Sequence, residues 1–256
     1  IIPSGLYFKS DGLTLFILDN NSDDVNEYTL TTAWDLSTAS FASNTFSVAT
    51  EDNLVYGLWF NDDGTKFIVA GDQNDLAYEY NMTTAWDITT ASYSSTSFNL
   101  ASAGSTSGPR GITFKPDGSK MYSAMIGDDT IYQYSTASYA DQINLDTGNY
   151  FNDTLAANTT YTISNAGDVQ SFQLEVTGGS VANFASGTQL NSLDVSSQEN
   201  EAQALFFKDD GTKLYYAGIN NDTVYQYSLS TAWDISTATY DSVNLSLSPY
   251  VGSVKA

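Results

Sequence analysis

The strongest constraint on this chain is that it repeats itself. The phrase Thr-Thr-Ala-Trp-Asp-Leu-Ser-Thr-Ala-Ser fills residues 31–40 and returns, with conservative changes, at 83–92 and 230–239. A second phrase keeps step with it: Gly-Leu-Tyr-Phe-Lys-Ser-Asp-Gly from Gly5, Gly-Leu-Trp-Phe-Asn-Asp-Asp-Gly from Gly57, Gly-Ile-Thr-Phe-Lys-Pro-Asp-Gly from Gly111 and Ala-Leu-Phe-Phe-Lys-Asp-Asp-Gly from Ala204. These starts lie 52, 54 and 93 residues apart, and Tyr28, Tyr80, Tyr134 and Tyr227 keep the same intervals. Self-similarity at a fixed period of this size means stacked supersecondary units rather than one irregular core.

Each unit contains four short stretches that suit strands; in the first they are residues 6–9, 14–18, 25–30 and 45–49. Tyr, Phe, Val and Ile crowd them, and no long apolar stripe of period 3.6 competes. The Asp-Gly pair between the first two stretches favours a tight hairpin, because glycine takes positive φ without steric cost. Four antiparallel strands repeated about every 50 residues form a β-propeller blade. The Ala-Trp-Asp phrase falls between third and fourth strands, where Thr, Ser and Asp side chains bond local backbone. Its tryptophan is expected to be buried against the adjoining blade, once per unit.

The third unit breaks the pattern. It runs from Ile131 directly into 136–139 without the Thr-Thr-Ala-Trp stretch, and no Lys or Arg occurs between Met121 and Phe207. Residues 149–155, 159–164, 169–177 and 189–196 are candidate strands, and 171–177 alternates strictly with Phe172, Leu174 and Val176 on one face. The chain, 1–256, therefore reads as a single all-β propeller domain in which 146–198 is an atypical blade or an inserted β module. The favoured count is five blades with an atypical fourth; the alternative is part of a six- or seven-bladed propeller with a β insertion. Within 189–199, residues 191–198 resemble 44–51, the outer strand that leads into the next unit.

Composition narrows the function. With 8 basic and 30 acidic residues the net charge is −22, which repels phosphate backbones and argues against nucleic-acid partners. No apolar run approaches the roughly 20 residues of a membrane helix, so no membrane insertion is expected. Histidine and cysteine are absent, which removes Ser–His–Asp and Cys–His catalysis and the common zinc ligands.

The phrases at 109–122 and 225–238 resemble the tandem blades of lactonase-like, YVTN-type propellers, and most closely the Thr-Ala-Trp-Asp repeats of marine bacteriophage tail-associated or structural proteins. That resemblance implies a non-enzymatic extracellular or virion module for display and attachment, with other virion or surface proteins, a host glycan or further copies of itself as partners. It implies no cofactor and no metal. The alternatives are a propeller enzyme, lactonase-like or a carboxylate-dependent glycosidase or lyase, and a pure assembly subunit.

Candidate residues are few. The first strands carry no acid, and Asp11, Asp63, Asp117 and Asp210 belong to turns. Glu51, Asp52, Glu199 and Glu201 precede first strands and are expected to be solvated. Six of the eight basic residues recur at two repeat positions, where they are expected to pair with turn acids. Arg110 is the only arginine, just before a first strand at the channel mouth, and its repeat equivalents include Tyr56 and Gln203. A guanidinium on an acidic disc suits a carboxylate or sugar, so Arg110, Tyr56 and Gln203 are the candidate ligand-binding set; the competing expectation is a surface salt bridge. The Asn/Asp-rich tips 19–24, 71–75 and 220–222 match no calcium loop and are expected to be plain turns.

Overall fold

A computed structural model describes residues 2–103, 108–137, 142–144, 162–164, 183–199, 201–218 and 220–247. They form four-stranded antiparallel sheets whose innermost strands lie side by side, a β-propeller arrangement. The first blade is β1 (Pro3–Phe8), β2 (Thr14–Asp19), β3 (Asp24–Leu30) and β4 (Ala39–Ser47). The second is β5 (Val55–Phe60), β6 (Lys66–Gly71), β7 (Leu76–Met82) and β8 (Ala91–Asn99). The third comprises β9 (Pro109–Phe114), β10 (Lys120–Met125), β11 (Thr130–Ala137) and, after a short parallel pair β12 (Gln142–Asn144) and β13 (Thr162–Ser164), the outer strand β14 (Asn183–Asp194). The last is β15 (Ala202–Phe207), β16 (Lys213–Gly218), β17 (Thr223–Leu229) and β18 (Ala238–Ser246).

The Asp-Gly turns form as the sequence requires. Asp63 Oδ1 accepts from the Thr65 amide at 2.9 Å, and Gly64 adopts φ +69°. Each Ala-Trp-Asp phrase closes on this turn. The Trp86 amide donates to the Gly64 carbonyl at 2.8 Å, and Asp87 caps a single 3₁₀ turn at Ile88–Thr90. The outer strands begin earlier than the sequence suggests, at Ala39, Ala91 and Ala238. A bulge at Ser43, Ser95 and Ser242, each with positive φ, lets the first residues pair before the register shifts.

The order around the axis is β1, β5, β9, β15. At Gly57 a Cβ would meet the Arg110 carbonyl oxygen at 2.5 Å, so glycine sets the close approach of neighbouring inner strands. Three hydrophobic clusters hold the blades together, one for each seam from first to last blade.

Four blades lie among the described residues. The expected atypical fourth blade, 146–198, lies outside them at 146–161 and 165–182. Within 146–198, residues 183–194 belong to the third blade as β14, which pairs with β11 from Thr130↔Asp194 to Ala137↔Asn183. Of the other candidate strands, Thr162–Ser164 is β13.

The tryptophans do not share one environment, contrary to expectation. Trp233 is 9% exposed and stacks on Phe207 with Tyr122 of the third blade beside it. Trp86 stacks on Tyr7 and Phe16 of the first blade. Trp34 is 59% exposed, because among the described residues no blade packs on that side of the first.

Candidate functional site

In each blade the turn between second and third strands meets the segment that enters the first strand, and together they build one rim of the fan. The Asp72 amide donates to the Leu54 carbonyl at 2.8 Å, and Ile126 does the same to Gly108 at 3.1 Å. Asp52 and Glu199 occupy this rim at equivalent positions and are 2% and 1% exposed. They are not solvated loop acids, which corrects the expectation. Asp52 accepts from the Gln73 and Asn74 amides at 3.3 and 3.2 Å, and Glu199 from Asn220 and Asn221 at 3.2 and 3.0 Å. Turn amides that would otherwise be orphaned draw these carboxylates inward.

Arg110 is buried rather than a surface charge, at 8% exposure. Its Nη1 donates to Asp72 Oδ2 at 2.7 Å, and its guanidinium carbon lies 3.7 Å from the centre of the Tyr56 ring. The structure thus brings Tyr56 and Arg110 together. Gln203 lies on the adjacent inner strand, where its carbonyl approaches Gly111. Asp72, not singled out from the sequence, completes the group.

The third blade differs from its neighbours at this rim. Its second-to-third-strand turn carries Asp128 where the second and last blades carry Asn74 and Asn221. Those amides bond the Tyr78 and Tyr225 hydroxyls at 3.1 and 3.3 Å. Asp128 accepts from Tyr132 at 2.6 Å through Oδ2, while its buried Oδ1 has no hydrogen-bond partner. Among the described residues, Asp23 carries the other such oxygen. Burial, then the carboxylates of Asp128, Asp194, Glu199 and Glu201, push the neighbouring Asp129 carboxyl upward. Glu201 sits among these acids with φ +149°, a conformation rarely taken by a side-chain-bearing residue. The single arginine enters this blade's first strand, so the third blade combines a fixed cation with clustered carboxylates at one end.

No group of three His, Cys, Asp or Glu side chains able to hold a metal occurs among the described residues. At the tip of the first blade, Asp19 is occupied by the Ile2 and Asn21 amides at 2.7 and 3.0 Å.

No protein-family model and no curated protein matches the chain. Solved structures do match. A provisionally named 6-phosphogluconolactonase of Bacteroides uniformis aligns with TM-score 0.52 at 10% identity, covering 95% of this chain and 55% of its own. One from Bacteroides fragilis, provisionally named likewise, aligns with TM-score 0.52 at 12% identity, covering 94% and 54%. The periplasmic gluconolactonase of Pseudomonas aeruginosa aligns at 0.50 and 13%, covering 93% and 52%. The chain spans about half the length of these structures, and at such identities the likeness is one of fold.

The expectation that the chain is not an enzyme is overturned by these neighbours, whose names are those of hydrolases. It rested on the rim acids being solvated, and two of them, Asp52 and Glu199, are buried; hydrolysis in which a carboxylate acts as base needs neither histidine nor cysteine.

Proposed function

We propose that the chain is a lactonase-like hydrolase acting on a cyclic ester at the rim of its third blade. The observation that carries this reading is Asp128, whose buried Oδ1 has no partner and which replaces the asparagine of the neighbouring blades. In the proposed reaction Asp128 takes a proton from water as the water oxygen attacks the lactone carbonyl. The ring C–O bond then breaks, and the leaving alkoxide takes a proton to give an open hydroxy acid. Arg110, fixed by Asp72 and Tyr56, steadies the substrate oxygens, with Gln203 on the adjacent inner strand. The names of the structural neighbours point to sugar-acid lactones as the substrate class. With net charge −22 the rim favours neutral lactones over phosphorylated ones.

The test compares the full chain with Asp128→Asn on glucono-δ-lactone, its 6-phosphate and homoserine lactones, against the spontaneous rate. Because asparagine stands at this position in two other blades, the variant keeps the fold. Turnover by the native chain, lowered about 10²-fold or more in the variant, is the expected result. Hydrolysis of every lactone at the spontaneous rate would overturn the reading. Binding of a sugar without turnover would favour instead the attachment role implied by the repeat phrases.

A further inference from the structure

The two ends of the fan are complementary to each other. On the first blade, Leu6, Trp34, Leu36 and Phe41 are 66%, 59%, 61% and 50% exposed. Their repeat equivalents are better covered: Leu58 and Ile112 at 6% each, Trp233 at 9%, Ile88 at 0% and Ile235 at 1%, with Leu205, Trp86, Tyr93 and Tyr240 half-buried. On the last blade, Phe206 and Leu245 are 62% and 58% exposed, whereas at the same positions in the first blade Tyr7 and Phe46 pack into the seam with the second. Each end is thus one half of a seam that occurs three times inside the molecule.

The match extends to polar groups. At the seam between third and last blades, the Tyr122 hydroxyl and the Lys120 ammonium donate to the Trp233 carbonyl at 2.5 and 2.7 Å, and the Ile235 amide donates to Gln133 Oε1 at 3.0 Å. The last blade carries the same donors and acceptor at the equivalent positions, Tyr215, Lys213 and Gln226. The first blade carries the equivalent Trp34 and Leu36. At the seam between first and second blades, the Lys9 ammonium lies 5.8 Å from the centre of the Trp86 ring. Its counterpart on the last blade is the half-exposed Lys208.

We propose that a second copy of this chain covers both faces, with the first blade of each copy seated on the last blade of the other. A head-to-tail contact of this kind closes into a ring when the rotation permits, and otherwise grows. Two copies bring together eight of the blades described here around one channel, within the roughly four to eight that propellers use, whereas three copies would exceed it. The contact excludes water from Trp34, Leu36, Phe206 and Leu245 as it does at the internal seams.

The experiment uses sedimentation and light scattering on the full chain at tens of micromolar and 150 mM NaCl, with the variants Trp34→Asp and Phe206→Asp. The native chain should have twice the chain mass, and its tryptophan emission should shift to the blue with concentration. Each variant keeps one intact face, so each alone should be monomeric. An equimolar mixture should form a one-to-one dimer through the remaining good pair of faces. That rescue separates a lost contact from a lost fold. A monomeric native chain, variants that still dimerise, a mixture that fails to pair, or open-ended growth would each overturn the proposal.

Discussion

Trp34, Trp86 and Trp233 hold φ of 64°, 65° and 63°, a left-handed backbone that costs about 1–2 kcal/mol for a residue bearing a Cβ. The amide bond to the turn glycine and the ring lying over that glycine offset part of this everywhere. Only Trp86 and Trp233 add a neighbouring blade. Trp233→Ala is therefore expected to lower unfolding free energy by about 3–5 kcal/mol, as other large buried truncations do. Trp34→Ala, made in the Phe206→Asp monomer, should cost less than about 1 kcal/mol; urea unfolding of both pairs measures the contrast. A second outcome concerns Asp241, held down to about 2 by the Gln226 amide, then by Lys213 and Ser228. A carboxyl lowered by folding stabilises above its ordinary value of 3.8 and loses that contribution as pH falls toward 2. The urea midpoint of the native chain should accordingly exceed that of Asp241→Asn at pH 5, and the gap should shrink by pH 2. At this scale Arg110 and Tyr56 were legible, because a lone arginine stands out against a repeat. Asp128 was equally visible as a departure from Asn74 and Asn221, but its significance lies in a buried, unpaired oxygen that no repeat phrase records. The pairing with Asp72 joins residues 38 apart and has no local signature.

Among the elements, the strands that follow one another through short turns were legible and the outer strand of the third blade was harder to place. β11 ends at Ala137 and its partner β14 begins at Asn183, so the pairing spans an excursion where every regular blade uses a short Ala-Trp-Asp connection. Alternation identifies a strand but not its distant partner. The clue was the likeness of 191–198 to 44–51, an outer strand, and the structure pairs β14 with β11 as the outer strand of the third blade. If the third blade needs only β14 from this region, replacing residues 138–182 with the phrase at 31–38 should leave it folded. Loop-closure entropy alone then favours the shortened chain by roughly 1–2 kcal/mol. Circular dichroism and a cooperative thermal transition would establish this. A transition broadened or lost in the shortened chain would mean that the excursion supports the blade.

For the whole molecule the deciding quantity is charge. Thirty acidic residues face eight basic ones. Among the described residues, Lys9, Lys66, Arg110, Lys115, Lys208 and Lys213 form ion pairs, and Lys120 donates to a backbone carbonyl. Most carboxylates are left without a cation, and repulsion among them opposes both compaction and any approach of a second copy. Salt acts on the two signs of interaction unequally. Exposed ion pairs such as Lys208–Asp210 contribute little to stability, so screening them costs little. The Debye length falls from about 30 Å at 0.01 M to about 10 Å at 0.1 M, which removes much of the long-range repulsion. Raising NaCl from 10 to 200 mM should therefore raise the thermal midpoint and, in sedimentation, strengthen self-association. Sucrose at equal osmolality should reproduce neither effect at that strength. A midpoint that falls with NaCl would show that the few ion pairs outweigh the repulsion, and that the acidic surface is locally compensated instead.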